Sequence, residues 1–142
     1  PLGKRGIAAP RAAGYGALAG GRKEYIEWSN RETLVCVQIE EVEALRNLEQ
    51  ILKVEGIDVF FIGPSDLSQS MGYGDNPSHP EVLKAIEGGF KKILGAGKLA
   101  GISGNDESLK RYADMGVRYL YTHANRYLGD GARKTLATFG RK

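Results

Sequence analysis

The stretch that decides the fold is LVCVQIE at 34–40 followed, after one helical turn pattern, by IDVFFIG at 57–63 and GPSDLSQSMG at 63–72. LVCVQIE is rich in Val and Ile and reads as a strand. Residues 41–55 carry Val42, Leu45, Leu48, Ile51 and Leu52, a helical stripe that ends at Gly56. IDVFFIG is a short apolar run of the kind that forms a strand buried on both faces. Strand, helix, strand in about thirty residues is a βαβ unit, and such units pair their strands in parallel.

Working outward, the pattern repeats. A connection marked by Gly72, Gly74, Pro77 and Pro80 leads to a helix opening at SHPE, where Ser78 and Glu81 have capping-box spacing and Pro80 fits the first turn. Leu83, Ile86, Phe90, Ile93 and Leu94 give that helix its apolar face, and Lys91 and Lys92 fall on its solvated side. KLAGIS at 98–103 reads as the third strand, followed by a helix over 105–115 with Asn105 as N-cap. VRYLYT at 117–122 reads as the fourth, with a helix near 131–138. Upstream, KEYIEWSNR at 23–31 suits a short helix, and residues 1–22 form a Gly-, Ala- and Arg-rich lead-in.

The expected organisation is therefore a single α/β domain over 1–142, with a loop and short helix at 1–33 and βα repeats over 34–142. Two architectures fit: a small open sheet with helices on both faces, or part of a (β/α)8 barrel, a partial TIM barrel of about four parallel units. A whole barrel takes about 250 residues, and this chain has 142. The absence of a Met before Pro1 fits a fragment.

Composition narrows the function classes. Hydrophobic residues at 42% and charged residues at 26% are ordinary for a folded chain. No apolar run approaches the roughly 20 residues of a membrane helix, and no secretory signal pattern is present. The net charge of +3 comes from the ends, because residues 1–31 and 126–142 are each net +4 while 32–125 are net −5. A nucleic-acid protein would carry its basic stripe on the folded body, so no nucleic-acid or membrane partner is expected. One cysteine, Cys36, excludes an internal disulfide and fits a reducing cytoplasm.

The polar residues fall where a barrel keeps its chemistry. Residues two apart on a strand share a face, so Cys36, Gln38 and Glu40 project together, opposite Val35, Val37 and Ile39. Gln38 and Glu40 stand at the C-terminal end of their strand, where barrel active sites form. Ser65 reads as an N-cap and Asp66 as a first-turn residue, at a helix start that offers free N–H groups to an anion. Capping alone explains Asp66 as well. Glu40 and Asp66 end neighbouring strands, however, and two converging carboxylates beside such a turn suit a divalent cation that chelates an anionic substrate. Tyr112, Tyr119 and Tyr121 have core-like positions with polar tips, and Cys36 reads as an inert buried thiol.

VQIE, the acidic helix after it, and VEGIDVFFIGPSDLSQSMGYGDNPSHPEV resemble the HpcH/HpaI aldolase family, as does the opening GKRGIAAPRAAGYG. The resemblance runs over about residues 1–139. It implies the phosphoenolpyruvate/pyruvate type of TIM barrel and a class II aldolase, cleaving or forming 2-oxo-4-hydroxy acids with pyruvate as enolate donor. It implies Glu40 and Asp66 as ligands of Mg2+ or Mn2+, with Co2+ a further option, and Gln38, Ser65 and Asp66 as substrate-binding residues. Pyruvate and an aldehyde or hydroxy-oxo acid are the implied small-molecule partners.

The family's base-associated His and a substrate-binding Arg belong to the first half of its barrel and have no counterpart here. Ser103 stands where relatives place an apolar residue, and YTHAN at 121–125 replaces a Gly and an Asp. His123 is thus a candidate catalytic residue, weighed against a turn or packing role. Arg5 and Arg11 are candidate anion contacts in a Gly-rich loop, and His79 belongs to a helix start. Two alternatives accompany the aldolase reading: a non-catalytic ligand-binding or assembly module derived from it, and an enzyme like the citrate-lyase beta subunit or malyl-CoA lyase. Half a barrel leaves unpaired strand edges, so a homo-oligomer is expected.

Overall fold

A computed structural model describes residues 22–141. The chain divides into two compact units, with the boundary after Leu34. Among the described residues the first unit contains α1, Arg22–Glu32. Its last turn closes through Thr33 N–H donating to the Ser29 carbonyl at 2.9 Å.

The second unit alternates strand and helix: β1 (Cys36–Ile39), α2 (Val42–Arg46), α3 (Leu48–Ile51), β2 (Val59–Ile62), α4 (Pro64–Ser70), α5 (Pro80–Gly95), β3 (Leu99–Ser103), α6 (Asp106–Asp114), β4 (Tyr119–Tyr121) and α7 (Ala124–Thr138). The four strands form one parallel sheet in the order β1-β2-β3-β4. That order is sequential. A doubly wound sheet reverses its order at a switch point, whereas here every strand adds to the same side. With right-handed crossovers, sequential addition sends the helices that connect the strands to one face.

The core lies on that face. Ile39, Phe60, Ile62, Ala100 and Ile102 alternate along three strands and pack in one cluster with Leu48, Leu67, Val82, Ile86, Phe90, Ile93 and Tyr112 from the helices. The Phe90 and Tyr112 rings meet edge to face with centroids 5.3 Å apart. Burial pushes the Tyr112 phenol up, against a smaller opposing pull from Arg111. Register joins Gln38 to Phe61, Phe61 to Gly101, and Gly101 to Tyr119, one row across the opposite face. No helix among the described residues is long and apolar enough to cross a membrane.

Several expectations change in detail. The helix over 41–55 is two short helices, broken at Asn47, whose φ of −90° and ψ of 7° leave the helical region. Asn competes for the backbone with its own side chain and is poor inside a helix. The Ser78–Glu81 capping box does not form. His79 is the N-cap instead, its Nδ1 accepting from the Glu81 N–H at 3.3 Å, with Pro80 at the first helical position. Asn105 does cap α6, its side chain accepting from the Ser108 N–H at 2.9 Å. The last helix begins at Ala124 and runs through Gly129 and Gly131. Each glycine costs about 1 kcal/mol in a helix, and Ala, Leu, Arg and Lys on either side offset it.

Candidate functional site

The face away from the helices bears an open groove of about 510 Å3. Gln38, Ser65, Asp66, Ser103 and His123 line it together with Cys36, Phe61, Gly63, Pro64, Tyr119 and Tyr121. Five residues singled out in the sequence are therefore gathered in one place. Arg5 and Arg11 lie outside the described residues.

Glu40 stands beside this groove. It is half-buried, directly after β1, and its Oε2 accepts from Gln38 Nε2 at 2.9 Å. It also sits against Gly63, which follows β2: a Cβ there would come 2.8 Å from Glu40 Oε2 and 3.0 Å from Glu40 Cβ. The bare backbone of Gly63 is the space the carboxylate occupies. Neighbouring strand ends thus set Glu40 against the turn that carries Asp66.

Ser65 is not the N-cap of α4. Gly63 holds that position and Pro64 follows as the first helical residue, because the fixed φ of proline suits it. The first helical bond runs from the Leu67 N–H to the Gly63 carbonyl at 3.0 Å. The Ser65 and Asp66 amides precede it, among the unpaired donors of a helix start. Both side chains are exposed.

The donor chemistry suits a hard divalent cation. Two carboxylates with room for waters fit an ion that retains much of its hydration. Among the described residues no cluster of three or more His, Cys, Asp and Glu is present.

At the other end of the groove, Ser103 and Tyr121 pair in register at the ends of β3 and β4. The Tyr121 hydroxyl lies 3.1 Å from His123 Nδ1. Tyr119 and Tyr121 are exposed at 40% and 43%, not core residues. The sequence signal was available: Tyr119, Tyr121 and His123 follow the same two-residue phase as Gln38 and Glu40. Gly63 had no signal beyond its place at a strand end.

Cys36 is also exposed, because the face it shares with Gln38 carries no helix. Partial burial still pushes its thiol up, which keeps it protonated and slow to react at neutral pH. Alkylation of this single thiol, followed by mass spectrometry, is expected to be slow at pH 7 and slower still when a ligand fills the groove. Equal rates with and without ligand would place the ligand elsewhere.

A parallel βα sheet with carboxylates and a hydroxyl–imidazole pair gathered at its strand ends is the α/β class of fold, with polar residues grouped at the C-terminal ends of the strands. The particular family is shown by comparison. The model of the HpcH/HpaI aldolase/citrate lyase family matches residues 4–117, and the chain belongs to that family. A hydroxypyruvate/pyruvate aldolase from Cupriavidus necator is 43% identical over 143 aligned positions, covering 98% of this chain and 52% of that protein. A 4-hydroxy-2-oxo-heptane-1,7-dioate aldolase from Klebsiella pneumoniae matches with the same identity and coverage. Among solved structures, an HpcH/HpaI aldolase/citrate lyase family protein from Burkholderia cenocepacia superposes with a TM-score of 0.80 at 31% identity, over 96% of this chain and 53% of the other. A citrate synthase superposes with a TM-score of 0.72 at 25% identity, over 83% and 49%. The chain spans about half the length of the curated relatives it matches.

Proposed function

We propose that these residues are the metal- and pyruvate-binding half of a class II aldolase that cleaves or forms 2-oxo-4-hydroxy acids, in a complete TIM barrel. One observation carries the reading: Glu40, held by Gln38 and seated on Gly63, lies against the turn that presents Asp66. Glu40 and Asp66 would hold a divalent ion, Mg2+ or Mn2+ by their oxygen donors. Bound there, it would polarise the pyruvate keto group and favour its enolate. Gln38 orients Glu40 through their hydrogen bond, and the amides at Ser65 and Asp66 are available to the pyruvate carboxylate. The open groove beyond them leaves room for an aldehyde. The relatives named as aldolases, at 43% identity, support the same reaction class.

Isothermal titration tests this. The chain is expected to bind Mg2+ weakly, with pyruvate or oxalate tightening it, and Asp66→Ala is expected to lose that tightening. Equal affinity in both proteins would remove Asp66 from the site.

The citrate synthase neighbour favours a second reading, a citrate-type carbon–carbon reaction on the same carboxylates. Preference for an acyl-CoA or citrate over a hydroxy-oxo acid in the same titration would select it. We place the protein in the cytoplasm, where its single thiol stays reduced. We also infer that the 142-residue polypeptide by itself self-associates: among the described residues β1 and β4 each have one neighbour in the sheet, and open edges pair with other chains. Sedimentation equilibrium at micromolar concentration is expected to give a dimer or a multiple of it, and a clean monomer would exclude edge pairing.

A further inference from the structure

The groove has two chemically different ends. Gln38, Ser65 and Asp66, with Glu40 behind them, make the β1–β2 end. Ser103, Tyr121 and His123 make the β3–β4 end. Between them lies an aromatic floor, Phe61 and Tyr119, packed edge to face with centroids 6.2 Å apart and planes at 82°. Gly101 lets them meet, since a Cβ there would come 2.9 Å from Phe61 Cδ2 and 3.1 Å from Tyr119 Cδ1.

An aldol reaction also has two ends. The keto and carboxylate oxygens of the pyruvate part call for cationic or N–H partners. The 4-hydroxyl, which is the aldehyde oxygen in the other direction, calls for a group that takes or gives one proton. Carboxylates committed to an ion serve the first. The second is served by an imidazole, the side chain best suited to proton transfer near neutral pH.

Tyr121 gives that imidazole a fixed orientation. Its hydroxyl is 3.1 Å from His123 Nδ1, and the two rings stand nearly perpendicular, at 75° with centroids 5.0 Å apart. With Nδ1 engaged, Nε2 is the ring nitrogen left for a ligand. When Nδ1–H donates to the phenol oxygen, Nε2 is an acceptor. When the phenol donates to Nδ1, Nε2–H is a donor. The first state suits cleavage, and the imidazolium it becomes, with Nε2–H free to donate, suits addition.

We propose that His123, positioned by Tyr121, contacts the 4-hydroxyl of a hydroxy-oxo acid and carries its proton; this rests on the aldolase reading above. In cleavage the hydroxyl proton passes to Nε2, the O–H electron pair forms the aldehyde C=O, and the C3–C4 bond breaks with its pair remaining on C3 as the pyruvate enolate. C3 then takes a proton from water while the imidazolium returns one to water. Addition is the reverse.

Binding tests the assignment without turnover. The chain has two histidines, and His79, stacked on Tyr73 with centroids 3.8 Å apart, serves as the internal reference. A 15N-histidine-labelled chain in Mg2+ buffer is titrated with pyruvate and, separately, with 4-hydroxy-2-oxopentanoate. The His123 ring signals are expected to move with the hydroxy-oxo acid and not with pyruvate, while His79 stays still. His123→Gln and Tyr121→Phe are each expected to weaken the hydroxy-oxo acid about tenfold, the size of one lost hydrogen bond, and to leave pyruvate unchanged. Tyr121→Phe should also change the tautomer ratio of His123 without ligand. If both ligands bind and His123 is silent, or moves equally with both, the assignment is overturned and the aldolase reading stands. If neither ligand binds, the aldolase reading of this chain fails and takes the assignment with it.

Discussion

A polypeptide of these 142 residues, given Mg2+ and a 2-oxo-4-hydroxy acid, is expected to release pyruvate at least about a hundredfold more slowly than an intact relative, since a positioned acid or base contributes about 10²–10⁴-fold. The curated relatives are about twice as long as the part matched here. The sheet has four strands, whereas a closed barrel has eight. Its groove is open. Asp66 is exposed and Glu40 half-buried, and electrostatic stabilisation is weaker in water than in an enclosed site. The measurement is coupled pyruvate release, run beside a full-length relative at equal metal and substrate. Turnover within tenfold of that relative would show that groups of this chain, His123 first among them, suffice for the proton transfers.

Much of this architecture could be read from periodicity, and the exceptions have physical causes. β2 was legible because Val59–Ile62 is apolar throughout, and all four residues are buried although the groove face, where Phe61 packs on Tyr119, has no helix over it. β1 and β4 are shorter than their apolar runs, and among the described residues each has a pairing partner on one side. α7 was the least legible element: two glycines obscured its start, and Leu128 and Leu136 remain exposed at 73% and 42%, so the periodic stripe that normally reports a core face reports none here. Caps depend on a single dihedral choice, and His79 displaced Ser78 because Pro80 favours the first helical position.

The site was legible to the extent that strand phase governs it. Gln38 and Glu40 share a phase at one strand end, and Ser103, Tyr121 and His123 arise from the same rule at two others. Phase does not reveal which side is left open. Tyr119, Tyr121 and Cys36 read as buried because apolar and aromatic strand residues usually are. They are exposed because they face away from the helices, where the described residues supply no second layer. Gly63 was invisible for a different reason: its contribution is an absent side chain, recognisable only once Glu40 is seen in the space.

Gly63→Ala is expected to abolish the pyruvate-tightened Mg2+ binding while leaving the fold intact. The backbone at this position has φ −84° and ψ 101°, open to any L-residue, so alanine brings no dihedral strain. Its Cβ would instead lie 2.8 Å from Glu40 Oε2, 3.0 Å from Glu40 Cβ and 3.6 Å from Gln38 Nε2. The flexible carboxylate end yields first. That turns it away from Asp66 and strains the Gln38 Nε2 to Glu40 Oε2 bond, now 2.9 Å. Loss of a group that orients a metal ligand typically costs about 10–100-fold in affinity, and here the ligand itself is displaced, so the upper end applies. Overpacking costs stability as well, about 1–3 kcal/mol in a closed core, but Glu40 is only half-buried and can move outward, which keeps the loss near the lower end. Circular dichroism melting and isothermal titration on the same preparation separate the two effects. A variant that melts near the native temperature and has lost the tightening supports Glu40 as a ligand. Unchanged binding with the carboxylate displaced would assign the ion to Asp66 alone.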